Sequence, residues 1–401
     1  MELESHSAQI RKEVLSRLDL DRDTSDQELK NIIAYETSRY LKGKAVSLKE
    51  KAEVEKEIFD SLRKMDVLQE LIDDPQVTEI MVNGPNNIFY EKEGIIHQYH
   101  KKFLSEEKLM DLLQTIVSRH NRVVNQANPM VDTRLADGSR VHIVLSPVAI
   151  DGSVLTIRRF PEAPISMEKM IEYRSISREV ANFLEHMVRA KYNIFISGGT
   201  GSGKTTFLNA LSNYIPSGER VITIEDSAEL RIQGIKNLVR LETRNANMEG
   251  VQPITIRDLI RASLRMRPDR IVVGECRGAE ALDMLQSMNT GHDGSLSTAH
   301  SNSCEDMIHR LETMVMMGMN LPVDAIRQQI ASGIDLMIHL ARARDGSRKV
   351  MEIKEVCGVE DHQVVLHSLY HREQEELKKV GELKNTWKLQ LYGGHEEIDG
   401  L

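Results

Sequence analysis

Cysteine is scarce in this chain, and its placement supports neither a disulfide framework nor a zinc centre. Cys276, Cys304 and Cys357 are far apart and form no CxxC pair, so all three read as reduced, buried side chains. Aromatic residues are few at 4%, with a single tryptophan, and no low-complexity repeat is present. No long apolar run exists either. The segment MELESHSAQIRKEV has scattered charges and no apolar h-region, so the expectation is a cytosolic protein without signal peptide or membrane span. An excess of positive charge is also missing: 52 basic against 61 acidic side chains give a formal charge of -9. A protein that neutralises many phosphates normally carries the opposite balance, which disfavours nucleic acid as a partner.

What is present is enough chain for two or three domains. At 401 residues, the length exceeds what one hydrophobic core usually organises. Residues 1–66 read as a charged helical extension. Thr24-Ser25-Asp26-Gln27 and Ser47-Leu48-Lys49-Glu50 fit capping boxes, the second opening a helix with Val54, Ile58, Leu62 and Met65 on one face. Residues 67–160 change to short strands and one helix. TEIMV, NIFYEKEG, a helix from Ser105 to about His120, and the hairpin DTRLADGSRVHIVL with Asp137-Gly138 at its turn predict a small α+β domain. The two prolines of Phe160-Pro161-Glu162-Ala163-Pro164 mark a linker, set at 161–170.

Residues 171–401 are expected to form an α/β domain. YNIFISG, RVITIED and RIVVGE alternate with helical stretches, which predicts a parallel sheet covered on both faces. Beyond about Tyr370 a charged helical piece is expected, then a strand around Trp387. The methionines of Met314-Val315-Met316-Met317-Gly318-Met319 read as fillers of core gaps.

The chemistry centres on Gly198-Gly199-Thr200-Gly201-Ser202-Gly203-Lys204-Thr205, a GxxxxGK[ST] loop between a strand and the helix that opens with FLNAL. Glycines let backbone N–H groups turn inward around phosphate oxygens at the positive end of a helix. Lys204 brings a compact charge to the β- and γ-phosphates, and the Thr205 hydroxyl can ligate Mg²⁺. A plain glycine turn needs neither the lysine nor the hydroxyl. Carboxylates follow at strand ends, where open α/β sheets place their ligands. Glu225, Asp226 and Glu229 come after VITI, and Glu275 comes after the apolar run Ile271-Val272-Val273-Gly274. Glu275 suits the task of holding Mg²⁺ through water or polarising the attacking water. His292 and His300 flank a further apolar segment, as candidates for sensing the γ-phosphate or orienting water.

GGTGSGKTT, IEDSAEL, RMRPDRIVVGECRGAEALDML and MNTGHDGSLSTAH, in that order, resemble the Walker A, Asp-box, atypical Walker B and His-box motifs of the type II/IV secretion ATPases. The tight-adherence pilus ATPases are the most similar branch. The resemblance extends through EIMVNGPNNIFYEKEG, PMVDTRLADGSRV and LTIRRF and covers roughly residues 70 to 360. It implies a RecA-like P-loop NTPase domain behind a smaller α+β domain, and a hexameric ring that hydrolyses ATP with Mg²⁺ beneath an inner-membrane platform protein. By position, Lys204, Thr205 and Thr206 would hold the nucleotide, Glu229 would be the Asp-box carboxylate, Glu275 the catalytic glutamate, and His300 the His-box residue with His292 beside it. Arg134, Arg140, Arg158 and Arg159 resemble arginines the family brings to the nucleotide; physically, a guanidinium from another domain or subunit stabilises charge spread over the γ-phosphate. No zinc is expected, because the cysteine cluster of some relatives is missing. Two other readings stand beside this one: a nucleic-acid translocase on the same sheet, and a scaffold that binds ATP without turning it over.

Overall fold

The computed structural model describes residues 2–18, 24–44, 46–119, 123–159, 164–244 and 252–392. Two compact units, Met1–Pro161 and Glu162–Leu401, make up the chain. Of the expected linker, Phe160 to Ala163 lie outside the described residues, and residues 167–170 are already helical.

The first unit opens with three helices, α1 (Glu2–Arg17), α2 (Asp26–Tyr40) and α3 (Leu48–Arg63). They pack Ile10, Val14, Leu29, Ile33, Val54 and Ile58 into a small core. The capping box at Ser47 forms, with both the Ser47 and Glu50 side chains engaged. At α2 the cap is Ser25 rather than Thr24, its hydroxyl accepting from the Glu28 N–H; Ser25 and Glu28 have the same S-x-x-E spacing one residue later. Met65 falls beyond α3 and joins the next core instead.

That core belongs to an antiparallel sheet of β1 (Val77–Asn83), β2 (Asn87–Lys92), β3 (Ile95–Gln98), β4 (Met130–Arg134), β5 (Arg140–Val144) and β6 (Val154–Arg158), preceded by α4 (Gln69–Asp73). The strand order is β3-β2-β1-β6-β5-β4. Helix α5 (Glu106–Ser118) buries Leu109, Leu113 and Ile116 with Ile80, Val141 and Ile157 of the sheet. The Asp137-Gly138 hairpin joins β4 to β5 as expected, in the register Arg134 opposite Arg140.

The second unit runs α6 (Met167–Glu172), α7 (Arg178–Arg189), β7 (Ile194–Gly198), α8 (Lys204–Ser212), β8 (Arg220–Glu225), β9 (Asn237–Glu242), α9 (Ile256–Ser263), β10 (Arg270–Val273), α10 (Glu280–Asn289), β11 (Leu296–Ala299), α11 (Cys304–Gly318) and α12 (Val323–Gly333). Then follow β12 (Leu336–Arg342), β13 (Arg348–Glu360), β14 (Gln363–Glu373), β15 (Glu376–Lys379) and α13 (Trp387–Tyr392). The sheet order is β15-β14-β13-β12-β7-β11-β10-β8-β9. From β12 to β9 every pairing is parallel, whereas β12 to β15 pair antiparallel. The sheet is therefore mixed, with an antiparallel ribbon added to the expected parallel core.

Alternation along β7 shows how the two faces are covered. Ile194 and Ile196 enter a core with α6, α7 and α8, while Phe195 enters one with α9 to α12. Each such fully buried side chain stabilises the fold by about 1.5–3 kcal/mol. The polar ends of these strands are left at the sheet's edge, where the loops gather.

Four expectations fail here. The charged piece after Tyr370 is strand, with Tyr370 paired to Lys379, and the segment at Trp387 is helix. Ribbon pairing supplies backbone partners that outweigh the helical propensity of ELKK, and burial of Leu389 anchors α13. Met314 is buried as expected, but Met316, Met317 and Met319 are exposed, because α11 presents its far side to solvent over its last turn. Cys276 and Cys304 are buried, whereas Cys357 is exposed.

Candidate functional site

The loop between β7 and α8 has the backbone that its glycines allow. Gly201 and Gly203 take φ values of 71° and 92°, a region costly for residues with a Cβ. Gly198 also has positive φ, and a Cβ there would stand 2.5 Å from the Leu340 carbonyl oxygen. Gly203 ends the loop as the N-cap of α8, with no side-chain cap, so the positive end of the helix faces the loop's hollow.

Lys204, the first residue of α8, is buried. Its ammonium donates to the Gly199 carbonyl at 3.1 Å and lies 3.3 Å from His300 Nδ1. Burial pushes its pKa down, while Glu275 pulls it up. The Ser202 hydroxyl is also buried and has no partner. A buried cation, an unpaired hydroxyl and an open helix end form an arrangement that an oxyanion completes, and the loop therefore fits a nucleotide's phosphates. Beside it lies a cleft of about 360 Å³, lined by Ile165, Met170, Tyr173, Thr206, Phe207 and Arg348 among others. Its apolar walls and the half-buried Thr206 suit a base and ribose.

The parallel core brings the strand ends together. His300 follows β11 and Glu275 lies two residues after β10. His300 Nε2 stands 2.8 Å from Glu275 Oε1. Burial first, and then Lys204, lower the His300 pKa. A neutral ring accepts from Lys204 at Nδ1, and its Nε2 side lies against Glu275 Oε1, which is buried without a hydrogen-bond partner. Lys204, His300 and Glu275 thus form one continuous chain of contacts.

The other Glu275 oxygen, Oε2, accepts from Arg277 Nε at 2.9 Å, and Nη2 lies 2.7 Å from it as an ion pair. Arg277 Nη1 lies 3.7 Å from Asp226, and Glu229 adds to the negative field around it. The candidate acidic groups of β8 and β10 therefore meet at Arg277. Nothing in the spacing of the sequence marks that residue.

Glu225 has a different position. It is buried, and its Oε1 accepts the backbone N–H groups of Glu229 and Leu230, each at 2.9 Å. Oε2 has no partner, and burial pushes the carboxyl up to about 7. Glu225 shapes the turn that carries Glu229. Gly274 permits this, since a Cβ there would come within 2.9 Å of Glu225 Cγ. The folded protein holds the Glu225 proton more tightly than the unfolded chain, whose carboxyl titrates near 4.5. Its stabilising share is complete below pH 4.5 and is lost as pH rises towards 7, on the order of 3 kcal/mol in all. Glu225→Gln keeps an acceptor and removes the ionisation. Denaturant unfolding at pH 5 and pH 8 is expected to show a smaller difference in the variant than in the wild type.

His292 does not join the site. It precedes β11, whose chain runs from it to His300, so the two histidines occupy opposite ends of one strand. The His292 carbonyl instead accepts from the Ser295 hydroxyl. In the first unit, Arg134, Arg140 and Arg158 occupy one cross-strand row on β4, β5 and β6. They lie on the sheet face opposite Val141 and Ile157, which are buried. Arg159 is used internally, donating to the Asp74 and Val77 carbonyls.

Strand β13 touches the site at two places. Arg348 Nε donates to the Gly201 carbonyl at 3.1 Å, and Glu352 accepts the Cys304 N–H, at the start of α11, at 2.8 Å. The loop bearing His300 and the phosphate loop are thus both tied to the antiparallel ribbon.

Fold and site together define a P-loop ATPase of the RecA-like class. The family model described as "Type II/IV secretion system protein" matches residues 61–380, and the chain belongs to that family. It is 31% identical to the type IV secretion system protein VirB11 of Brucella suis over 318 residues, covering 72% of this chain and 88% of that protein. A Mycobacterium tuberculosis protein whose name provisionally assigns it to conjugal transfer is 34% identical over 293 residues, covering 72% and 83%. Among solved structures, the pilus retraction motor PilT with bound ADP aligns with a TM-score of 0.55 at 22% identity, covering 74% of this chain and 83% of that one. The ATPase DotB of Legionella pneumophila gives 0.53 at 23% identity, covering 73% and 80%. These last two likenesses bear on the fold. No described helix is long and apolar enough to cross a membrane.

Proposed function

We propose that this chain works as a ring of identical subunits, a hexamer, that hydrolyses ATP to drive pilus assembly of the tight-adherence type or protein secretion at the cytoplasmic face of the inner membrane, beneath a platform protein. The observation that carries the reading is the contact chain from Lys204 through His300 to Glu275. It joins a phosphate-binding cation to a carboxylate able to take a proton from water. The kinship with VirB11, named as a type IV secretion system protein, supports the machine assigned.

In this reading Gly198 to Gly203, with Lys204, cradle the β- and γ-phosphates, and Thr206 borders the ribose. Thr205 would hold Mg²⁺ with the help of Glu229, and the ion when bound neutralises charge on the phosphate oxygens. Glu275 accepts a proton as the water oxygen bonds to the γ-phosphorus. The bond to the bridging oxygen breaks, and the electron pair leaves with ADP. His300 reports the γ-phosphate to Glu275. The row Arg134, Arg140 and Arg158 supplies guanidinium groups to the nucleotide in the assembled ring.

Arginines supplied by a neighbour make turnover depend on assembly. Phosphate release per subunit is expected to rise steeply over the protein concentrations at which rings form, as followed by sedimentation. Full turnover by a monomer would overturn the ring mechanism.

A further inference from the structure

Neither oxygen of the carboxylate assigned to activate water stands ready for it: one is engaged by Arg277 and the other is buried. Glu275 Oε2 accepts from Arg277 Nε with Nη2 2.7 Å away, and Oε1 is buried without a hydrogen-bond partner, 2.8 Å from His300 Nε2. A general base must offer a lone pair to the proton it removes, so this arrangement is a resting one. Of the two occupants, His300 is linked onward to Lys204. Arg277 is linked to other acids.

The surroundings of Arg277 suit a group that changes partner. Its backbone is held, because the N–H groups of Arg277 and Gly278 both donate to Glu280 Oε1, at 2.6 and 2.9 Å. Its side chain is 60% exposed, while Glu275 is 19% exposed. A solvated guanidinium on a fixed backbone can swing with little loss of packing. A second acceptor already stands near it, Asp226 at 3.7 Å from Nη1. Arg277 also burdens the site with positive charge, disfavouring the protonated forms of Lys204 and His300. The four negative charges of a triphosphate reverse that balance.

We propose that Arg277 is a positioning residue that latches Glu275 away from water until a triphosphate in the loop draws the guanidinium off. The proposal rests on the reading that Glu275 activates water. Once released, the guanidinium moves towards Asp226 or the γ-phosphate, and Glu275 keeps one oxygen on His300 and turns the other to water.

The test uses the full chain, assembled and without a partner protein, in steady-state ATP hydrolysis. Arg277→Gln removes the charge and the fork and is expected to raise kcat about 3- to 10-fold with KM moved less than about twofold. Arg277→Lys keeps the charge without the planar guanidinium and is expected to fall between wild type and Arg277→Gln. A gain in turnover is a readout that loss of packing does not produce. Asp226→Asn removes the competing acceptor and is expected to lower kcat in the wild-type background but not beside Arg277→Gln or Arg277→Lys, a coupling that a double-mutant cycle measures. Glu275→Gln separates the two failures. Should that variant turn over ATP normally, the underlying reading fails. With Glu275→Gln inactive, kcat at or below wild type in both Arg277 variants overturns the latch, and Arg277→Lys decides alone where Arg277→Gln does not fold.

Discussion

Lys204→Ala is expected to abolish ATP hydrolysis, lowering kcat/KM by about 10³-fold or more, and to weaken binding of the triphosphate more than that of nucleoside. Lys204 is buried and is the cation placed at the loop's hollow. Its present partners, the Gly199 carbonyl and His300, bring no negative charge of their own, so the ammonium is held for an anion that arrives later. Removing a preorganised donor from a water-poor site costs about 10²–10³ in rate. Here the same group also binds the ground state, so the losses in kcat and KM compound. Alanine leaves the helix intact, since it is the best helix former. Equilibrium binding of labelled ATP and phosphate release, measured on protein whose unfolding transition matches wild type, check the expectation. Normal hydrolysis by this variant would remove the P-loop from the chemistry.

Glu275→Gln is expected to give the opposite signature: ATP retained, turnover lost. The amide is isosteric and its one oxygen still accepts from Arg277, but it cannot take a proton from water. General-base catalysis contributes about 10²–10⁴, which is about 3–5 kcal/mol of barrier. Single-turnover hydrolysis should slow by that factor, while Kd for ATP changes little. Equal loss of binding and turnover would instead assign Glu275 a structural task in the loop. The two variants together distinguish phosphate binding from water activation.

The phosphate loop could be read directly because its chemistry is local. Glycines with positive φ, a lysine and a hydroxyl must occupy fixed offsets, and the chain places them there without help from distant residues. Glu275 and His300 were legible for a related reason: a parallel strand delivers its next residues to one edge of the sheet, and both follow apolar runs. The same logic misplaced His292, because a residue before a strand and a residue after it look alike in sequence but stand a full strand apart. Arg277 was hidden because its meaning depends on carboxylates from two strand ends meeting in space. In sequence Glu225 stands among the acids at the end of β8, and only its burial separates it from Asp226 and Glu229. Pairing partners decide the antiparallel ribbon, so ELKK gave a helical signal that β14 overrides.

The ribbon's attachment to the site has a mechanical consequence. Arg348 and Glu352 are separated by roughly 13 Å of extended backbone, and each holds a different catalytic loop through a main-chain atom. Strand β13 therefore acts as a tie bar. A shift of the loop around the phosphates strains the anchorage of the His300 segment unless the strand moves with it, so the state of the nucleotide is transmitted to β14 and β15 at the outer margin of the sheet.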